Sequence, residues 1–476
     1  MQHHSIIRSG QPNSLDRSGP SKPVSNRMAS SLLFAVVMLA PLPFGSVDAL
    51  PIVAWCIALG IALSAASLRA LDTRHFLIIG GVAFVVGAYV LVLHEQLAAR
   101  PLFAVSVPDP VWQAAADVLG SPLPPSVSMV RDRPLFALGA PLAAVLCLLV
   151  SFIVCIDRKW AHRLLYVVAW SGSAYAAFGI AAFLIDPGRV LWMKKQAYFT
   201  VLTATFINRN TAAVYFGSCA IIWLLILLDR VRQRLPPSGL SLAAIGRSLQ
   251  NPGRRAMMEF VAFFVCLAAM FLTGSRAGVM LSLLAALIAL GLFVLKTVPF
   301  GRKSLRTMLA AACVLFIVTQ VLGAGVLGRF ENEGLAGGGR PETYHSTLAI
   351  IEDHPWLGTG LGTFAWVFPG YRSSAGTSWG VWERAHSTPL EIASEMGLPM
   401  AGVVTAAWMG VFAVFFYGLW ARNRDHIVVV AALAISTLAV THSLIDFSLQ
   451  IPGFALVVFA LVGAGLAQSF RVARSA

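Results

Sequence analysis

Twelve stretches of about 20 mostly apolar residues dominate this sequence and leave it few ways to fold. They run over about 29–47, 49–68, 75–94, 134–156, 164–185, 210–228, 259–273, 277–295, 307–327, 398–420, 427–447 and 451–470. Each can carry a helix through roughly 30 Å of hydrocarbon, where every backbone N–H and C=O has to be satisfied within the segment. Composition agrees: 58% of the 476 residues are hydrophobic and 12% charged, with a mean hydropathy of +0.77. A soluble domain carries about 25% charged residues. The expected fold is an all-α polytopic membrane protein with about 12 transmembrane helices and one long outward loop that contains short helices.

The chain divides accordingly. Residues 1–28, rich in Ser, Pro, Asn and Arg, read as a disordered cytoplasmic tail. Residues 29–327 hold helices 1–9 with an outer loop at 95–133, 328–397 form the long outer loop, and 398–476 hold helices 10–12 and a short cytoplasmic tail. The first span is broken by Pro41 and Pro43. It reads as a retained helix, because no small-x-small cleavage site follows it at a convincing place.

The net charge of +14 is organised by loop. With the N-terminus inside, 23 of the 35 lysines and arginines fall in inner segments, the bias expected of a membrane protein with both termini cytoplasmic. The cations therefore predict orientation, with no nucleic acid as partner. The inner loop 229–258, with Pro236-Pro237 and several arginines, reads as a contact with anionic lipid. All six cysteines (Cys56, Cys147, Cys155, Cys219, Cys266, Cys313) lie in apolar spans, so no disulfide framework is expected.

Polar, charged and aromatic residues concentrate on the predicted outer face. Phe206-Ile-Asn-Arg-Asn210 opens the sixth span; Leu272-Thr-Gly-Ser-Arg-Ala-Gly278 joins two spans with almost no loop; Gly339-Arg-Pro-Glu342 opens a predicted helix after a run of glycines. Arg276 needs a reason to sit between two spans. A guanidinium fork on a phosphate is one reason, and snorkelling to lipid headgroups is the other. The same pair of readings applies to Arg209, flanked by Asn208 and Asn210. Arg340 is either a third such cation or an ordinary loop charge.

His386 precedes Ser387-Thr-Pro-Leu-Glu391, which reads as a capping box with Thr388 as N-cap and Glu391 three residues on. A histidine held ahead of a rigid helix start is well placed as a base. Glu395, before the helix stop Gly397, either orients that histidine or is solvated. Gly358-x-Gly360-x-Gly362 lacks the strand that a dinucleotide fingerprint requires and reads as tight turns. Trp356, Phe364, Trp366, Trp379 and Trp382 form an expected aromatic lid. His442 and Asp446, four apart, share one helix face as a functional or a helix-locking pair. No metal site is expected, since ligand spacing is missing.

The Leu-Thr-x-Ser-Arg turn, together with Arg340…His354-Pro-Trp-Leu-Gly-x-Gly-x-Gly-x-Phe364…Ala385-His386-Ser387…Glu395-x-Gly397, resembles the O-antigen ligase/polymerase superfamily of bacterial membrane glycosyltransferases. The resemblance covers roughly 200–415. It implies a GT-C-like helical fold in the bacterial inner membrane, with the long loop periplasmic. It further implies glycan transfer from an undecaprenyl-pyrophosphate-linked donor, with no cofactor. The acceptor would be lipid A–core for a ligase, or a second lipid-linked glycan for a polymerase; membrane lipids are the other partners. His386 would be the catalytic base, and Arg276, Arg209 and Arg340 would bind pyrophosphate. Asn208, Asn210, Ser275 and Glu395 would support them. One departure is that His386-Ser387 stands where many ligases have His-Asn. The competing reading is a transporter or flippase of envelope glycolipids, suggested by the twelve spans and the His442/Asp446 pair. Against it, the span centres almost lack charges and no internal repeat is visible.

Overall fold

A computed structural model describes residues 24–98, 100–234, 253–297, 340–372, 381–421 and 426–470. Among them the chain is helical, apart from one antiparallel hairpin, β1 (Arg189–Val190) with β2 (Met193–Lys194). The helices are α1 (Val24–Leu39), α2 (Ala49–Ala65), α3 (Thr73–Leu97), α4 (Val111–Leu119), α5 (Arg133–Ala137), α6 (Gly139–Val154) and α7 (Arg158–Ile185). They continue as α8 (Arg209–Arg234), α9 (Gly253–Leu272), α10 (Arg276–Thr297), α11 (Arg340–Asp353), α12 (Phe364–Tyr371), α13 (Thr388–Ala421), α14 (Ile427–Ser443) and α15 (Pro452–Ser469).

Eight of the described helical segments are long and apolar enough to cross a membrane, and three more are shorter apolar helices. Eleven of the twelve expected stretches thus coincide with helices. The twelfth, 307–327, lies outside the described residues, as do Gly337–Gly339, Cys313 and Trp379. The chain is an all-α multi-pass membrane protein.

Apolar character all round a helix is satisfied by lipid or by other helices, and the bundle uses both. α8 and α15 are enclosed by protein along nearly their whole length, whereas α3 and α13 turn most of their side chains outward. α15 packs along α6, and α8 is wedged between α9 and α10. With no hydrophobic drive between helices in lipid, close approach depends on small residues. A Cβ on Gly463 would lie 2.4 Å from the Leu148 carbonyl oxygen, and one on Gly217 would lie 2.1 Å from Ser282 Oγ. Some polar side chains inside the bundle bridge helices: Trp223 Nε1 donates to Ser173 Oγ at 2.8 Å, and Ser151 Oγ donates to the Ala460 carbonyl.

The end of the bundle that carries the candidate residues is braced by a second polar system. Residues 354–363 form a compact turn clipped onto α13. Thr359 N–H donates to the Ser394 carbonyl at 2.9 Å and Gly360 N–H to that of Glu395 at 3.0 Å. Leu398 N–H donates back to the Pro355 carbonyl at 2.8 Å. α13 breaks at Gly397 (φ 82°, ψ 163°), and a Cβ there would fall 2.1 Å from the Trp356 carbonyl oxygen. Gln96, at the end of α3, donates to the Leu357 and Glu395 carbonyls at 2.7 Å each and accepts from Leu361 N–H. The histidine–proline–tryptophan and glycine motif of this stretch is therefore a clamp that fixes α11, α12 and α13 to one another, with its glycines in tight turns as expected.

Glu395 belongs to that clamp. It is buried, and its carboxylate accepts from Gly362 N–H at 2.8 Å and Phe364 N–H at 2.9 Å. It is neither solvated nor set against His386, because two backbone donors that have no other partner there consume both of its oxygens.

Gly463→Val should destabilise the bundle by about 1–3 kcal/mol, because the obstructing atoms are backbone of α6 and cannot rotate away. Gly80→Val, on the open face of α3 where a Cβ meets nothing within 4 Å, should change little. Thermal unfolding of the two variants in detergent checks the contrast.

Candidate functional site

Three of the expected arginines occupy the same structural position. Arg209, Arg276 and Arg340 are the first residues of α8, α10 and α11. Two of these helix starts are capped by the residue before. Asn208 Oδ1 accepts from Asn210 N–H at 2.6 Å and Thr211 N–H at 3.4 Å. Ser275 Oγ accepts from Gly278 N–H at 3.2 Å. Such caps satisfy backbone donors that a helix start leaves unpaired, and the helix end still presents partial positive charge.

The starts are drawn together by a residue the sequence placed elsewhere. Asp446 does not pair with His442. α14 ends at Ser443, so Asp446 lies in the following turn rather than on the helix face shared by residues four apart. Its buried carboxylate accepts from Arg340 Nη2 at 3.2 Å and from Asn210 Nδ2 in a short hydrogen bond. Asn210 Oδ1 in turn accepts from Ser275 Oγ at 2.7 Å. One chain, Arg340–Asp446–Asn210–Ser275, thus joins the N-termini of α11, α8 and α10. Thr388 Oγ1 donates to the Asp446 carbonyl at 3.4 Å, which adds the start of α13.

Both amides expected to flank Arg209 are therefore committed, Asn208 to the helix cap and Asn210 to Asp446 and Ser275. Arg209 instead lies over the ring of Tyr198, with its guanidinium carbon 5.1 Å from the ring centroid. Tyr198 sits in left-handed backbone (φ 62°), and Lys195 Nζ donates to its carbonyl at 3.4 Å. Burial pushes its phenol up; the positive charges of Arg209 and Arg340 oppose that shift and Asp446 adds to it. The four groups therefore share one electrostatic neighbourhood. Arg276 is half-buried and follows directly on Ser275.

His386 stands beside this cluster. Its backbone is left-handed (φ 54°), a conformation uncommon for a non-glycine residue and frequent at functional positions. Tyr344 Oη donates to the His386 carbonyl at 3.0 Å and supports that conformation. The ring meets Phe447 at 4.9 Å and Trp382 at 5.1 Å between centroids, both edge-on. Among the described residues its buried Nδ1 has no hydrogen-bond partner. Burial holds the imidazole below its ordinary pKa; Asp446 opposes this, and Arg340 adds to it.

The helix after His386 starts differently from the expected capping box. The first helical residue is Thr388, and Glu391 N–H donates to the Ser387 carbonyl, which makes Ser387 the cap position. Glu391 then lies too far along to close a box. Its carboxylate reaches past the cap to Ala385 N–H at 2.8 Å and to Arg384 at 2.9 Å. That grip fixes the residue before His386, so the carboxylate positions the histidine by another route.

The expected aromatic lid separates into parts. Phe364 is buried and stacks on Phe368, with centroids 5.1 Å apart. Trp382 touches His386, whereas Trp356 and Trp366 are exposed, with Arg133 lying 3.9 Å over the Trp366 ring. Only Trp382 among the four described rings contacts a candidate residue.

The structure therefore brings Arg209, Arg340, Asn208, Asn210, Ser275 and His386 into one region, with Arg276 adjoining and Glu395 serving the clamp. Asp446, Tyr198, Tyr344 and Phe447 complete it. Of these four only Asp446 carried a sequence signal, a carboxylate in an apolar span. Residues 261–405 match the O-antigen ligase family model. That range runs from α9 through Arg276, Arg340 and His386 into α13. Among curated proteins no match was found.

Asp446→Ala should cost roughly 3 kcal/mol, because it leaves the Arg340 guanidinium and the Asn210 amide without their buried acceptor. Ser275→Ala, which removes one neutral hydrogen bond, should cost about 1 kcal/mol. Thermal unfolding in detergent gives both values, and equal costs would contradict a central role for the carboxylate.

Proposed function

The chain carries an O-antigen ligase family domain over residues 261–405, and on that premise we propose that it transfers a glycan from undecaprenyl pyrophosphate to a sugar hydroxyl. The observation that carries the reading is the gathering of arginine-headed helix N-termini beside a strained, half-buried histidine. Helix N-termini and guanidinium forks are the donors that suit a diphosphate. In this proposal the bundle has the GT-C-like arrangement in the bacterial inner membrane. Both termini are cytoplasmic, and the cluster lies at the periplasmic face.

Arg276 and Arg209 bind the pyrophosphate, and Arg340, anchored on Asp446, adds a third positive charge. His386, neutral because burial depresses its pKa, accepts the proton of the acceptor hydroxyl. The hydroxyl oxygen bonds to the anomeric carbon as the bond from that carbon to the pyrophosphate breaks. Undecaprenyl pyrophosphate leaves with the electron pair. Charge growing on the leaving group is met by fixed guanidinium and helix-end donors, the kind of preorganised stabilisation that contributes most to such steps. No nucleotide sugar takes part.

Two acceptors fit this chemistry: a terminal sugar of lipid A–core, giving a ligase, and a second lipid-linked repeat, giving a polymerase. A deletion strain separates them. Loss of all capped lipopolysaccharide marks the ligase, a single-repeat cap marks the polymerase, and loss of a secreted polymer alone marks an exopolysaccharide polymerase. Substrate uptake into proteoliposomes with no glycan product would favour the transporter reading instead.

In an assay of transfer from a lipid-pyrophosphate glycan, His386→Ala should lower kcat by about 10²–10⁴-fold. Arg276→Ala and Arg209→Ala should each lower kcat/KM by about 10²–10³-fold. Undiminished product from all three sinks the assignment.

The pH profile gives a second test. A base with a depressed pKa stays neutral to lower pH, so the acid limb of the rate should lie below the ordinary histidine value of about 6.5. Arg340→Gln removes a cation that disfavours imidazolium and frees Asp446 to favour it. Both effects raise the histidine pKa, so the acid limb should move to higher pH.

A further inference from the structure

A second polar assembly lies at the opposite end of the bundle, and every element reaches it with the end that does not reach the candidate site. A cavity of about 250 Å³ is lined by His162 and Tyr166 near the start of α7, Arg230 and Gln233 near the end of α8, Arg255 at the start of α9 and Ile427 at the start of α14. Arg209 and Arg230 are 21 residues apart on α8, which at 1.5 Å per residue separates the two ends by roughly 30 Å.

Two carboxylates organise the cations around this cavity. Glu259 is fully buried, and its Oε1 accepts from Arg230 at 2.5 Å and from Arg255 at 3.2 Å. Asp229 is also committed: Arg232 donates to Oδ1 at 2.8 Å and Gln233 Nε2 to Oδ2 at 2.7 Å. Arg158 Nε reaches His162 Nε2 at 3.4 Å. Among the described residues three guanidinium groups, Arg230, Arg232 and Arg255, thus share the carboxylates of Glu259 and Asp229. Arg230 Nε is buried and has no acceptor among the described residues. The same wall includes Leu165, Ile226 and Ile427, and it sits level with the ends of membrane spans.

From this combination we infer that the cavity binds the phosphate headgroup of an anionic membrane lipid. Two guanidinium groups held on one buried carboxylate present a pre-set fork, which suits a phosphodiester. Leu165, Ile226 and Ile427 on one wall give the first carbons of an attached glycerol a contact that a free anion would not use. Clustered arginines at the inner membrane surface also face the leaflet where anionic lipids gather. The lipid would tie α7, α8, α9 and α14 together at the end remote from the site, independently of the proposed transfer reaction.

Full-length protein purified in detergent and exchanged into micelles doped with dioleoylphosphatidylglycerol or dioleoylphosphatidylcholine provides the test. Native mass spectrometry should show the phosphatidylglycerol retained and the phosphatidylcholine lost, with the thermal unfolding midpoint raised by the former alone. His162→Gln combined with Arg255→Gln should reduce the retained lipid about tenfold, the loss of one charge-assisted hydrogen bond. Lys296→Gln, a cation at the end of α10 that does not line the cavity, should not reduce it. Arg255→Glu alone, at a side chain 70% exposed, carries the same test if the double variant does not fold. Equal retention by wild type and variants overturns the site. Equal protection by glycerol 3-phosphate in lipid-free micelles overturns the lipid in favour of a soluble phosphate.

Discussion

Helix N-termini carry unpaired donors and partial positive charge, and bringing several of them together in a membrane protein, each headed by an arginine, is electrostatically unfavourable without a buried anion among them. Asp446 is that anion. Its carboxylate holds Arg340 and Asn210, and through Asn210 it reaches the Ser275 cap. Removing one partner of such a buried set costs far more than the net worth of the set, so the three helix starts are held as a unit. Arg209 and Arg276 bring two more guanidinium groups to the same end of the bundle.

The clamp around Gly397 does the complementary work. Glu395 and Gln96 spend their polar atoms on the backbone of 357–364, so α11 and α13 are fixed relative to each other and His386 can be held in strained backbone between them. Such strain persists only where surrounding contacts over-determine it. Here those contacts are the Tyr344 hydroxyl on the His386 carbonyl and the Glu391 carboxylate on Ala385 N–H. The family-like motif of this stretch therefore contributes rigidity, and the residues of the proposed reaction lie at its borders.

The two ends of the bundle share a logic. At each, a buried carboxylate gathers arginines from different helices, Asp446 at one end and Glu259 at the other. α8 connects the two, enclosed along its length by the other helices and ending in a charged group at either side.

How much of this was legible in the sequence follows from how far each signal reaches along the chain. The apolar stretches determined the helical membrane fold, because a span of about 20 residues in lipid has no alternative that satisfies its backbone. The break at Gly397 was also local, and Arg209, Arg276 and Arg340 stood out because each is a cation at the border of a helix or span. Partnership was not local. Asn208 and Asn210 look alike beside Arg209, yet one caps a helix and the other bridges to a carboxylate 236 residues away. His442 and Asp446 have helical spacing, but the helix ends between them. Glu395 resembles a solvated loop charge until the 354–363 turn folds over it. A one-dimensional pattern states which groups need partners in a membrane; only the packing of distant helices decides which partner each one receives.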